Sequence, residues 1–186
     1  MTTLGYALLS LLACETLSGY DIAHNMKERI GNFWHARHSQ IYPELARLQE
    51  EGLITHQIVE QQDRPDKKVY TITQQGMEQL RQWATEEMET PAIRDELVLK
   101  AYALWTADKQ KAIALFRTHE HRHRAQLASY QAIEKWLVAQ WEADEKRIDS
   151  PWFASYATLR RGLGYEREYI EWCVWVADTL EHNHPA

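Results

Sequence analysis

Residues 119–123 read HEHRH, placing His119, Glu120 and His123 in the H-E-x-x-H spacing of zinc hydrolases. On a helix the two histidines share one face, where they can hold a zinc ion while the glutamate between them activates a bound water. Glu142 stands at the separation at which one branch of those enzymes supplies its third ligand. There, however, a separate helix folds that ligand back onto the first. Residues 107–148 here contain neither Gly nor Pro and predict one continuous helix. The 19 steps from His123 to Glu142 then span about 28 Å, so the two cannot share an ion. The zinc-hydrolase reading is set aside, and no metal or other cofactor is assigned.

No other constellation supports catalysis. Cys14 and Cys173 lie far apart and in no context that marks an activated thiol, a disulfide framework or a cysteine-rich metal site. A Gly-rich phosphate loop and a G-x-S-x-G turn are both missing, so no catalytic residue is assigned and the chain is not expected to be an enzyme. The opening MTTLGYALLSLLAC resembles a lipoprotein signal, but it has no Lys or Arg before its apolar core, and a new helical pattern resumes a few residues after Cys14. It reads instead as a first helix, with Cys14 in the core near its end. No apolar run approaches the roughly 20 residues of a membrane span. The expectation is a cytoplasmic protein with no membrane partner.

The elements follow from periodicity and caps. Ser18, with Asp21 three positions on, opens a second helix that stops at Gly31. Ser39 caps a third, QIYPELARLQEE, whose apolar stripe is Ile41, Leu45 and Leu48 and whose stop is Gly52. LITHQIV and KVYTIT then predict a hairpin, and Thr73 caps a fourth helix through Met77, Leu80 and Trp83. Three helices, two strands and a helix make the order of a winged helix-turn-helix. Gly19 is expected at a turn or close approach, Tyr20 in the core and Asp21 at the helix start.

Beyond Pro91 the pattern is helical throughout. Ser150-Pro151 separates the long helix from a last one carrying Tyr156, Leu159, Leu163, Ile170, Cys173, Ala177 and Leu180 near a heptad spacing. Two long helices joined by a tight turn form an antiparallel arm expected to have little core of its own and to bury its stripe against a partner chain, hence a homodimer. The fold class is mainly α: a winged domain with a two-stranded wing over 1–88, then an all-helical dimerisation and effector domain over 89–186.

LSGYDI, FWHARHSQIYPELARLQEEGLI and RPDKKVYTITQQG resemble, in order and separation, the signature segments of the PadR family of bacterial transcriptional regulators. RDELVLKAY and LRRGLGYEREYIEW resemble the helical dimerisation domain of its longer members, which include a phenolic-acid-responsive repressor and a virulence-gene activator. One departure is Thr16-Leu17, where the family often has a proline. The resemblance implies a homodimeric repressor binding double-stranded DNA at an inverted repeat and released by a small aromatic acid. An activator working with a partner regulator stays open, as does a helical interaction module without DNA binding.

The net charge of −6 gives no general attraction for DNA, so local cations have to supply it. Ser39, Gln40 and Tyr42 fall in the first turn of the third helix, where a recognition helix reaches base edges. Gln40 fits a bidentate pair with adenine, Ser39 and Tyr42 fit phosphate, and Arg37 and His38 lie just ahead. Arg64, Lys67 and Lys68 sit at the hairpin tip, where a wing approaches the DNA backbone or minor groove. The plain alternative is that these residues only cap and solvate a helix and a turn. Among eight tryptophans, Trp34 and Trp105 are candidates to line an aromatic effector site, with Lys100, His119 and His123 as counter-ions, in a crevice between winged domain and arm. Aromatic stripes at helical spacing otherwise serve as core or dimer interface.

Overall fold

The computed structural model describes residues 1–31, 33–34, 36–60, 66–89 and 94–182. The chain divides into two units, Met1–Thr90 and Pro91–Ala186. In the first, helix α1 spans Thr3–Cys14, opened by the Thr2 hydroxyl, which accepts from the Gly5 N–H at 3.0 Å. Leu8, Leu9, Leu11 and Leu12 form its buried arc. Cys14 lies outside that arc and is exposed, contrary to the core position expected for it, because the helix phase turns it away from Leu8 and Leu12.

Strand β1 is Leu17–Ser18, and helix α2 covers Gly19–Asn25 before continuing as one π-helical turn, Met26–Ile30. The expected cap forms. Ser18 Oγ accepts from the Asp21 N–H, and the Asp21 carboxylate accepts from the Ser18 N–H, both at 3.2 Å. Ile22 and Met26 point inward while Tyr20 is 75% exposed, which corrects its expected place in the core. Helix α3, His38–Glu50, begins two residues early. Its cap is Arg37, whose N–H donates to Gln40 Oε1 at 3.0 Å, so Ser39 lies inside the first turn instead of capping it. A glutamine at the third helical position can reach back in this way, which removes the need for a serine cap. The helix ends at Gly52, whose φ of +73° is a left-handed conformation open to glycine at little cost.

Strands β2, Ile54–Val59, and β3, Lys67–Ile72, pair antiparallel with Ile54 opposite Ile72 and Val59 opposite Lys67. The sheet has three strands, not two. β1 pairs with the other edge of β3, Leu17 opposite Tyr70 and Ser18 opposite Val69. A two-residue strand has no period to announce it in the sequence. Helix α4, Gln74–Trp83, is capped by the Thr73 hydroxyl accepting from the Gly76 N–H, and Trp83 stacks on Tyr6 of α1 with ring centroids 4.3 Å apart. Leu8, Leu9, Ile22, Ile41, Leu45, Leu48, Leu53 and Ile54, each at most 2% exposed, make one core through α1, α2, α3 and β2.

In the second unit, α5 spans Glu96–Tyr102 and is capped by Asp95; a 3-10 turn, Leu104–Thr106, leads to α6, Lys109–Ala143, and then α7, Pro151–His182. The long helix stops at Ala143, short of Ile148. A turn follows in which Glu145 and Lys146 take positive φ and the Trp141 indole N–H donates to the Arg147 carbonyl at 2.9 Å. The arm has a core of its own, contrary to expectation. Phe116, Leu97, Tyr169, Cys173, Val176 and Ala177 form one cluster, and Tyr130, Leu137, Leu159 and Leu163 a second nearer the turn. The stripes of α6 and α7 thus bury each other first. Among the described residues no helix is long and apolar enough to cross a membrane.

Candidate nucleic-acid interface

Helix α3 has two faces. Ile41, Leu45 and Leu48 are buried, while Ser39, Tyr42, Ala46 and Gln49 recur at three- and four-residue spacing on the outer side and are exposed. The buried face includes one charge, Glu44, which accepts two bonds from Arg47, at 2.6 Å from Nη2 and 3.1 Å from Nε, and a further one from the Thr2 hydroxyl. Glu44, held by Arg47 on the same helix, thereby ties α3 to Thr2 at the start of α1, and the Arg47 side chain holds its carboxyl below the usual carboxylate range despite burial.

The outer face of α3 forms one wall of an open groove. Its other walls are the start of α2, from Ser18 to Asp21, and the start of β3, with Asp66, Lys67 and Lys68. The β1–β3 pairing sets this geometry by holding Ser18 beside Val69, so that Lys67 Nζ comes within 3.4 Å of Asp21 Oδ2. Gly19 lies close against Tyr42 of α3. A Cβ there would lie 2.8 Å from Tyr42 Cε1, so any larger residue pushes the Tyr42 ring outward. His38 packs edge-on against the other side of Tyr42, at 5.3 Å between centroids.

Of the residues singled out from the sequence, Arg37, His38, Ser39, Gln40, Tyr42 and Lys68 are exposed, and Lys67 is partly engaged by Asp21. Gln40 is bound to its own helix through Arg37, so its carbonyl oxygen is already in use. Arg64 lies outside the described residues. The groove also contains Tyr20, which was read as core, and Ala46 and Gln49, which were not singled out. Gln49 and Ala46 were legible as positions seven and four beyond Tyr42; Tyr20 was not, since an aromatic beside an apolar stripe reads as core.

The effector candidates divide between the units. Trp34, 40% exposed, belongs to the first, following the π-helical turn. In the second unit Lys100 pairs with Glu96, and Trp105 is 87% exposed in the 3-10 turn. His119 and His123 lie half-buried on one face of α6 with ring centroids 6.3 Å apart. Burial, then the charges of Arg122 and His123, lower the proton affinity of His119. His123 is committed: Nδ1 is 2.6 Å from Glu166 Oε2, and its ring stacks on Tyr169 at 4.1 Å. The Tyr169 hydroxyl donates in turn to Asp95 at 2.8 Å. Glu120, the would-be base of the HEHRH motif, instead pairs with Arg117 at 3.1 Å and Arg124 at 2.8 Å. Glu142 lies on the same unbroken helix, paired with Lys146. Among the described residues no three His, Cys, Asp or Glu side chains are placed to hold a metal ion.

Residues 8–82 match the transcriptional regulator PadR-like family, and residues 93–181 match the family described as virulence activator alpha C-term. The negative transcriptional regulator PadR of Bacillus subtilis is 39% identical over 173 residues, covering 92% of this chain and 94% of its own. The crystal structure of that protein in complex with operator DNA aligns with a TM-score of 0.86 at 36% identity, over 97% of this chain and 98% of the other. Its structure in complex with p-coumaric acid aligns at 0.80 and 36%, over 97% and 99%. The Vibrio cholerae virulence activator AphA aligns at 0.73 and 30%, again over 97% and 99%. On both sequence and structure, the chain belongs to the PadR-like family of transcriptional regulators.

Proposed function

We propose that this regulator is a homodimeric repressor that reads an inverted-repeat operator with α3 and is released by a small aromatic acid. The observation that carries the DNA reading is the two-faced α3: a helix fixed to the core by Ile41, Leu45 and Leu48 offers Ser39, Tyr42, Ala46 and Gln49 outward beside Lys67 and Lys68. Base edges are met by the outer face, and phosphates by Arg37, His38, Lys68 and, at the tip beyond it, Arg64. Two such helices about 34–36 Å apart fit successive major grooves of one operator. B. subtilis PadR, the relative solved with operator DNA, supports this assignment.

Pairing of two chains is supported by aromatic side chains that the arm leaves outside its own core, Tyr102 and Trp105 above all, at 85% and 87% exposed. Release is supported by the relative solved with p-coumaric acid, a planar aromatic with a phenol at one end and a carboxylate at the other. In the second unit Lys100 supplies the charge for such a carboxylate and His119, largely neutral, a ring N–H; Trp105 offers an aromatic face. His123, with Nδ1 on Glu166, would meet a ligand through Nε2, and Trp34 is the candidate from the first unit. A family of transcriptional regulators is not an enzyme class, and the reading includes no catalytic step.

The test is fluorescence anisotropy on DNA from the protein's own upstream region at two salt concentrations, beside a Lys67→Ala/Lys68→Ala variant. Nanomolar, salt-sensitive binding weakened by the variant is expected, and p-coumaric acid is expected to release the DNA. Unchanged DNA affinity across a series of phenolic acids overturns the inducer. A second reading, an activator acting with a partner regulator, is favoured by the match of residues 93–181 to the virulence-activator C-terminal family. Reporter transcription that falls, instead of rising, on deletion of the gene selects it.

A further inference from the structure

Among the described residues, the groove beside α3 has no excess of positive charge. There Lys67 and Lys68 stand beside two carboxylates, Asp21 and Asp66. Lys67 already has an anion: Asp21 Oδ2, 3.4 Å away. That carboxylate is built in. The Ser18 hydroxyl donates to it at 2.6 Å and the Ser18 N–H at 3.2 Å, while the β1–β3 register keeps Ser18 opposite Val69, close to Lys67 on β3. These hydrogen bonds, the Ser18 hydroxyl first, hold the Asp21 carboxyl below its ordinary range, so it is ionised throughout the neutral region. Both partners remain about 40% exposed, within reach of an approaching duplex.

We propose that Asp21 acts as an internal stand-in for a DNA phosphate, occupying Lys67 in the free protein and thereby damping sequence-independent affinity for duplex DNA. This rests on the DNA-binding reading above. The physical consequence is specific. A lysine that neutralises a phosphate releases about one condensed counterion from the DNA. While Lys67 stays on Asp21 it makes no phosphate contact, and the release of about one counterion that the contact would bring is missing. The wing cation thus contributes little to weak encounters anywhere on the chromosome. It contributes fully only where α3 contacts hold the wing against the backbone long enough to keep the pair open.

Asp21→Asn removes the charge while keeping an acceptor for the Ser18 N–H, and the Asp21 backbone bond to Ser18 Oγ does not depend on the side chain. Binding of the full chain to a mixed-sequence duplex, followed by anisotropy between 50 and 200 mM salt, is expected to tighten about two- to fivefold, the equivalent of an exposed ion pair. The slope of log K against log salt is expected to steepen by about 0.9. In a Lys67→Ala background the same substitution is expected to lose most of both effects. Asp21→Ser, melted alongside to verify folding, is expected to act in the same direction. Equal or weaker binding by Asp21→Asn, with wild type binding normally, overturns the inference, as does an undiminished gain without Lys67. If wild type and every variant fail to bind any duplex, including the upstream region, the DNA-binding reading itself is overturned.

Discussion

The brace beneath the recognition helix offers a test in which charge, burial and pH all have a stated sign. Glu44→Gln keeps the size of the side chain but replaces a carboxylate that accepts two bonds from Arg47 and one from the Thr2 hydroxyl. The Glu44 side chain is 10% exposed and Arg47 33%. A charge-assisted hydrogen bond contributes about 1.5–3 kcal/mol when buried, and the partial exposure of Arg47 discounts this to roughly 1–2 kcal/mol for the brace. In a unit of this size each kcal/mol moves the unfolding midpoint by about 4–8 °C. Because Arg47 holds the Glu44 carboxyl below its ordinary value of 4.5, the native state favours the ionised form. The stability gained is complete above the ordinary glutamate range and disappears as pH falls through the depressed native value. Calorimetry of wild type and Glu44→Gln from pH 3 to 7 should therefore show a gap at pH 7 that closes on acidification, and Arg47→Gln should not add to it. A gap below about 0.3 kcal/mol at pH 7, or one that persists unchanged at pH 3, refutes the reasoning.

Further outcomes follow from single contacts. Gly19→Ala should force the Tyr42 ring off its position, since the new Cβ would stand 2.8 Å from Cε1. Operator affinity is expected to fall by roughly tenfold, the equivalent of one lost hydrogen bond, with the fold intact by circular dichroism; wild-type affinity would break the link between Gly19 and Tyr42. Leu163→Ala empties a fully buried position between α6 and α7 and should cost about 2–5 kcal/mol in urea unfolding. A loss under 1 kcal/mol would mean that the arm draws little stability from its own core. Burial tends to raise the Asp95 carboxyl pKa, but the Tyr169 hydroxyl and the N–H groups of Val98 and Leu97 outweigh it and hold the value low. Tyr169→Phe should move it upward in a carbon-detected carboxyl titration, and an unchanged value would remove Tyr169 from that role.

The sequence by itself determined what is encoded within a turn or two of helix. Ser18 and Thr73 cap the helices they were read to cap, and Gly52 ends α3. Ile41, Leu45 and Leu48 form the buried face that their spacing announces, and an uninterrupted α6 separates His123 from Glu142. Such features depend on bonds and side-chain directions between residues at most four or so positions apart, so the pattern carries them directly. The tertiary structure decided the rest. The partnership of Asp21 with Lys67 depends on strand β1, two residues long, finding the free edge of β3. Glu44 meets Thr2 across 42 positions, and His123 meets Glu166 across 43. Tyr20 and Ile22 are both apolar neighbours on α2, yet only the packing of α1 and α3 against one side of that helix puts Ile22 in the core and Tyr20 at the groove. A charge or an aromatic ring takes its role from what the fold brings up to it, and that neighbour is written elsewhere in the chain.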